Sequence, residues 1–416
     1  MIRILSTVAP LLLGVAILLT GQGLQGTLLP VRANLEGFST LSIGLMGGAY
    51  FFGFTLGCLR GSTLLRRVGH IRVFAAMTAA ASAVPLLHGL WVETWLWWLL
   101  RFVTGYCFAV LYVVIESWLN EVATNENRGA VFSAYTLITL TVLAVGQQML
   151  LLYDPQQMAL FAIASAVVSI AAIPVVLSVV PTPHQATEKV RLDLRRLFGI
   201  SPAGALGCLA SGLANGSFWA LAPLFVAGYS SDVSMVAWFM TAAVLGGALG
   251  QWPLGFWSDR VDRRWVIAFA AFAGLLVGVT SWLFYSRMTP ALLMTLGAAW
   301  GAVAFPLYAV SVAHSNDHAR PGEYVMISSG LLLMYGIGAI AGPFIASVSM
   351  QSVGAGGLLL YTAIVHLLLL VYIAFRFIKR EPAAEEEHRK FVDALAATQT
   401  ASRVYEDEMA EKELSS

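Results

Sequence analysis

Two charged residues, Arg101 and Glu116, sit inside an otherwise apolar run, "WLWWLLRFVTGYCFAVLYVVIESWLN". A guanidinium held in hydrocarbon costs about 3 kcal/mol on insertion scales, so such a group marks either a ligand site or a pin between helices. As a ligand group, Arg101 suits an anion or a carbonyl. As a pin, it would be satisfied by backbone or glutamine oxygens. Glu116 is the only carboxylate well inside such a run. It is the candidate for taking up and releasing a proton, and its alternative is an ion pair with Arg128 or a loop arginine. Gln22 and Gln25 are three residues apart and share one helix face, as do Asn215 and Trp219. Amides suit sugars, amides or drugs equally, so the substrate stays open. Gln147, Gln148, Tyr335 and His314 read as packing or interhelical glue, and His366 as core.

Other chemistry finds no support. The chain has no His-Glu-x-x-His, no Gly-Lys-Ser/Thr phosphate loop and no clustered His/Cys ligands. No enzyme activity, ATP drive, cofactor or metal is therefore expected. A net charge of +1 gives no support for nucleic-acid binding. Cys58, Cys107 and Cys208 lie in apolar runs without paired spacing and read as packing residues.

The elements that position these residues must lie in lipid. Apolar residues make up 58% of the 416 and charged residues 11%, against about a quarter charged in soluble domains. Apolar runs long enough to cross a bilayer recur near 7–29, 40–60, 72–91, 95–118, 130–152, 157–180, 204–228, 233–257, 265–285, 290–313, 324–349 and 355–378. Their length predicts helices, since barrel strands would alternate over about ten residues. The first run continues to Leu29 without a cleavage site and reads as a retained span. With the N-terminus inside, the inner loops hold Arg60, Arg66, Arg67, Arg72, Arg128, Lys189, Arg191, Arg195, Arg196, Arg260, Arg263, Arg264 and Arg320. The outer loops hold only Arg32 and Arg287. This bias places both termini in the cytoplasm. Residues 181–203 form a linker in which Val190, Leu194, Leu197 and Phe198 predict a short helix on the membrane surface. Residues 379–416 form an acidic, solvated tail. The aromatics of "WVETWLWW" predict an interface belt.

The halves repeat. At an offset of 193 residues Gln22 falls on Asn215, Gly23 on Gly216, Pro30 on Pro223, Gly53 on Gly246, Gly57 on Gly250 and Arg67 on Arg260. By the fourth span the offset is 196, and Gly105, Leu111, Tyr112 and Asn120 meet Gly301, Leu307, Tyr308 and Asn316. Residues 1–180 and 204–378 thus read as parallel six-helix bundles. Parallel halves place a substrate site between them near the midplane.

At these residues the chain resembles the major facilitator superfamily of secondary transporters. "GFWSDRVDRR" is similar to the family's loop after the second span of each half, with Asp262 where glycine is usual. The first copy departs further, with Arg66 at the expected Asp. "RFVTGYCFA" resembles the fourth-span motif and "YGIGAIAGPFIA" a typical eleventh span, while the fifth span holds "AVGQQMLLL" in place of the glycine-proline signature of many drug antiporters. The resemblance implies an all-α integral membrane protein of twelve transmembrane helices in two pseudo-symmetric six-helix bundles. It implies a monomer among lipids of the inner (plasma) membrane, moving a small solute by rocker-switch alternating access with a proton as partner. A transporter-like sensor that binds without moving solute is the alternative. The resemblance also implies that Arg101 meets Gln22 and Gln25 in a shared cavity, with Asn215 and Trp219 opposite. It assigns gating to Asp259, Arg260, Arg263, Arg264, Glu121, Arg128 and Asp317. In that reading Asp259 faces a helix dipole, and the arginines bridge to an acid on another span.

Overall fold

The computed structural model describes residues 2–122, 128–177, 193–320 and 323–379. Linker residues 181–192, the tail beyond Lys379, and the side chains of Glu121 and Arg128 lie outside the described residues. Within them the chain is entirely helical: α1 (Ile2–Leu35), α2 (Thr40–Val68), α3 (His70–Leu90), α4 (Thr94–Val122), α5 (Arg128–Gln148), α6 (Ala159–Ile170), α7 (Ala172–Val176), α8 (Leu194–Ile200), α9 (Pro202–Ala227), α10 (Val233–Ser258), α11 (Arg263–Phe284), α12 (Pro290–Asn316), α13 (Tyr324–Val353) and α14 (Gly357–Lys379). Twelve segments are long and apolar enough to cross a membrane, and α6 with α7 forms the sixth. That span is described to Val176, and residues 178–180 of the expected run lie outside the described residues. The third begins at His70, two residues early, because Gly69 at φ 90° ends α2 and starts α3 at once. Local chemistry sets other starts. Ser39, Asp232 and Thr289 cap α2, α10 and α12, accepting from the amides of Ser42, Ser234 and Leu292.

Equivalent helices pack in the same way in each half. α1 lies on α5 and α6, with α2 and α3 on α4. Likewise α9 lies on α13 and α14, with α10 and α11 on α12. The seams are glycine seams. Gly53 and Gly57 lie against the carbonyls of Phe102 and Tyr106, and Gly246 and Gly250 against those of Ala298 and Ala302. Gly23 meets Leu143 as Gly216 meets Ala339. Each pair maps onto its twin at the two offsets read from the sequence. A Cβ at Gly53 or Gly246 would strike backbone, so only glycine permits this approach.

One end of the bundle carries α8 and the 258–263 loop; we term it the basic end. The far end carries the 36–39, 91–93, 228–232 and 285–289 connections. The last of these holds a short 3₁₀ turn, Tyr285–Arg287. There Tyr285 donates to the Phe225 carbonyl (2.8 Å) and Tyr229 to that of Met288 (3.0 Å).

The short helix expected in the linker is α8. Leu197 is fully buried in a cluster with Ile327 and Leu331, and Arg196 binds Glu323, so α8 docks on the second half. Burial raises the Glu323 carboxyl, yet hydrogen bonds from Arg196 and the Arg320 amide outweigh it and hold the group below the usual range. The aromatic belt is half interior. Trp91 and Trp95 are exposed, but Trp97 is buried against His88 and donates to the Trp91 carbonyl, while Trp98 donates to that of Ser42 (3.0 Å).

Candidate functional site

A cavity of about 340 Å³ lies between the halves, lined by α1, α2, α4 and α5 on one side and α9, α10, α12 and α13 on the other. Gln22, Gln25, Arg101, Asn215 and Trp219 all line it. Sequence reasoning did not single out Tyr50, Tyr112, Gln251, Phe305 or Tyr308, which also contribute. Tyrosine and phenylalanine are unremarkable in an apolar span; Tyr112 and Tyr308 stood out only as a repeat pair, and Gln251 is a polar residue within a span that the sequence reading passed over. Trp219 and Phe305 stack with planes 4° apart and centroids at 5.3 Å, giving the cavity a flat aromatic wall.

Arg101 shares the cavity with both glutamines but hydrogen-bonds neither, and Tyr50 stands between it and Gln22. The guanidinium carbon lies 4.3 Å from the Tyr50 ring centroid. Gln22 donates to the Tyr50 hydroxyl (2.9 Å) and accepts from Tyr112 (3.0 Å), tying α1 to α2 and α4. Among the described residues Arg101 has no carboxylate partner, and its buried Nε has no acceptor. The cation–π contact contributes about 0.5–2 kcal/mol, less than the several kcal/mol of desolvating an unpaired ion. Cavity water or a ligand must supply the rest. Both side-chain polar atoms of Gln25, and Oδ1 of Asn215, are likewise buried without protein partners.

The halves meet closely at mid-depth and toward the far end. A Cβ at Gly44 would lie 2.6 Å from the Pro343 carbonyl and 2.8 Å from Cβ of Ser347, and one at Gly48 would lie 2.9 Å from the Ile340 carbonyl oxygen. Gln148 donates to Thr241 (2.7 Å), which donates to Gln147 (3.5 Å), so both glutamines bridge the halves as glue. Gln147 lines the cavity as well. From mid-depth the cavity extends toward the basic end, where Phe54, Tyr112, Gln251 and Tyr308 line it.

The sequence profile described as Major Facilitator Superfamily matches residues 11–202 and 204–406. The chain belongs to that superfamily. An uncharacterised MFS-type transporter of Enterobacter sp. (strain 638) is 30% identical over 351 residues, covering 82% of this chain and 88% of the relative. Among solved structures, the nucleoside transporter NupG superposes with a TM-score of 0.72 at 14% identity, over 90% of this chain and 99% of that one. A bacterial homolog of the human lysosomal transporter Spinster, inward-facing and occupied, gives 0.71 at 15% identity over 93% and 98%. Members of this superfamily are multi-pass membrane transporters, not enzymes.

The superfamily loop of the second half closes on itself. Arg263 is fully buried. It donates to Asp317 (2.7 Å), Ser258 (2.9 Å) and Asp259 (3.3 Å), joining the loop to the end of α12. Among the described residues Arg260 bridges to no acid. Arg260 is exposed, lies 3.3 Å from the Phe256 ring centroid and donates to the Phe256 carbonyl. The reason is helix phase: α10 ends at Ser258 and α11 starts at Arg263. This leaves Arg260 on the turn and directs Arg263 inward. Asp259 caps the end of α10 beside Arg263. Asp262, in place of the usual glycine, caps α11 and pairs with Arg264 (2.6 Å), which reaches the Arg376 carbonyl on α14. Burial raises the Asp262 carboxyl, but the Arg264 hydrogen bonds outweigh it and set it below the usual range.

Glu116 is 1% exposed, accepts from the Tyr135 hydroxyl (3.5 Å), and does not line the cavity. It lies one helical turn from Tyr112 toward the basic end, on the same face of α4.

Proposed function

We propose that this superfamily member is a secondary active transporter that carries a small solute through the cavity by rocker-switch alternating access. The observation that carries the reading is a single cavity shared by two equivalent bundles, holding unpartnered buried polar groups and backed at the far end by close glycine contacts. The arginine bias of the loops supports a cytoplasmic basic end, hence cytoplasmic termini and a bacterial inner membrane. On that orientation the structure corresponds to the inward-facing state. Asp259, Arg263 and Asp317 act in gating by holding the ends of α10, α11 and α12 as one unit while the halves swing. In the first half the proposed gating residues are Glu121, which falls on Asp317 at the offset of 196 in the sequence, and Arg128. Arg260, exposed on the turn in this state, keeps its proposed gating role for the state in which the basic end closes.

Proteoliposomes containing the purified protein test this. Labelled organic anions, nucleosides, sugars and organic cations are offered with and without an inside-alkaline pH gradient. Saturable uptake or counterflow of one class is expected. Binding without flux of any class would favour a sensor instead.

Proton coupling through Glu116 makes a separate prediction. Its carboxylate sits one turn from the Tyr50–Gln22–Tyr112 hydrogen-bond chain. Glu116→Gln removes the titratable group and keeps most hydrogen-bonding capacity. The variant is expected to lose gradient-driven accumulation while retaining solute counterflow. Accumulation that responds to the gradient as in the parent protein would remove Glu116 from the coupling step.

A further inference from the structure

Resting on the transporter reading, the geometry points to the substrate class: a small organic monoanion with a flat apolar body, its anionic group on Arg101 and its body against Trp219 and Phe305.

Charge argues first. Among the described residues that line the cavity, Arg101 is the only charged side chain, and no Asp, Glu, Lys or His joins it. An organic cation would meet an uncompensated positive charge in a low-dielectric space. A dianion would leave its second charge unpaired. One negative charge closes the balance, and a guanidinium fork fits a carboxylate better than any neutral carbonyl.

Hydrogen bonding argues next. The Arg101 Nε, both polar atoms of Gln25 and Oδ1 of Asn215 are buried and unpartnered on the same cavity. Buried polar groups are normally satisfied, so the residues that carry these four atoms mark the polar end of the cavity, where a guest or ordered water can be engaged. Much of the remaining lining is aromatic or aliphatic: Phe51, Phe54, Phe108, Leu140, Leu143 and Leu332. Together with the Trp219–Phe305 stack, this wall suits a planar apolar body.

The test uses a matched series that differs only in charge: 3-phenylpropionate, 3-phenylpropionamide and 3-phenylpropylamine, with acetate as the body-less control. Binding to the full-length purified protein is measured by isothermal titration and thermal shift. The acid is expected to bind about tenfold tighter than the amide, as for a hydrogen bond to a charged group. The amine should bind more weakly than the amide, and acetate should not register. In Arg101→Gln the acid and the amide should bind alike, with amide affinity kept. Arg101→Lys keeps the cation but loses the fork, so its preference should shrink without changing sign; this variant decides the matter if the glutamine form does not fold. Equal or tighter binding of the amide or amine, no binding of any of the three, or an undiminished acid preference in Arg101→Gln would overturn the assignment. Counterflow of the acid in proteoliposomes is scored separately. Acid-selective binding without flux would end the transporter reading and leave the ligand class standing. Flux of the amine but not the acid would do the reverse.

Discussion

Cysteines introduced at Gly44 and Ser347, with Cys58, Cys107 and Cys208 replaced, are expected to form a disulfide on mild oxidation and bring solute flux to background, with recovery on reduction. The two positions face each other across the halves, with a Cβ at Gly44 lying 2.8 Å from that of Ser347. Disulfides want Cβ atoms about 3.5–4.5 Å apart, and the Cβ at Gly44 would also lie 2.6 Å from the Pro343 carbonyl, so the halves must part slightly here and the flux of the reduced variant is the reference. Alternating access requires the far end to part once per cycle, and a covalent bond there forbids it. The oxidised protein should still bind solute from the basic end with its usual affinity. Undiminished transport by fully cross-linked protein would mean that the far end need not open, and the rocker-switch reading would fall.

Asp317→Ala should cause a large loss of stability. The change strands Arg263, which is 0% exposed, with only Ser258 and the more distant Asp259 among the partners described above. Removing one member of a buried ion pair typically costs about 3–5 kcal/mol, because the surviving charge remains desolvated. Thermal unfolding in detergent should therefore shift markedly downward. The double variant Arg263→Met with Asp317→Leu should regain most of the loss, since an apolar pair of similar volume avoids the desolvation altogether. If the recovered double variant also transports, the cluster acts in rigidity alone; if it is stable but inert, the charges themselves take part in the cycle. A single variant with parental stability would show that the pair is not the pin described here.

Much of this was legible in the sequence because lipid makes polarity conspicuous. Gln22, Gln25, Arg101 and Asn215 stood out from their surroundings, and all four line the cavity. The spans were visible for the same reason, and the offset glycines marked the seams. What stayed hidden depended on helix phase and on residues that do not look unusual. Three arginines within five residues of one loop gave no sign that Arg263 turns inward and Arg260 outward. Tyr50, which takes the contact with Arg101 expected of the glutamines, is an ordinary aromatic in an apolar run. Trp97 and Trp98 belonged by composition to an interface belt. Their indole N–H groups instead found carbonyl acceptors inside the bundle.

The Tyr285–Arg287 turn makes the twin halves mechanically unlike. Where the first half joins α3 to α4 through three residues, Trp91 to Glu93, the second spends its longer connection on a clasp: two phenol hydroxyls fasten the rim of α9 to the α11–α12 link. When the far mouth opens, the second bundle should travel as a stiff jaw, and deformation should fall more on the α3–α4 lip of the first, whose rim is tied elsewhere by Trp98 to the Ser42 carbonyl and Arg32 to that of Pro155. A reporter probe grafted at that lip would sense the cycle, whereas one at the clasp would ride along as a fixed reference.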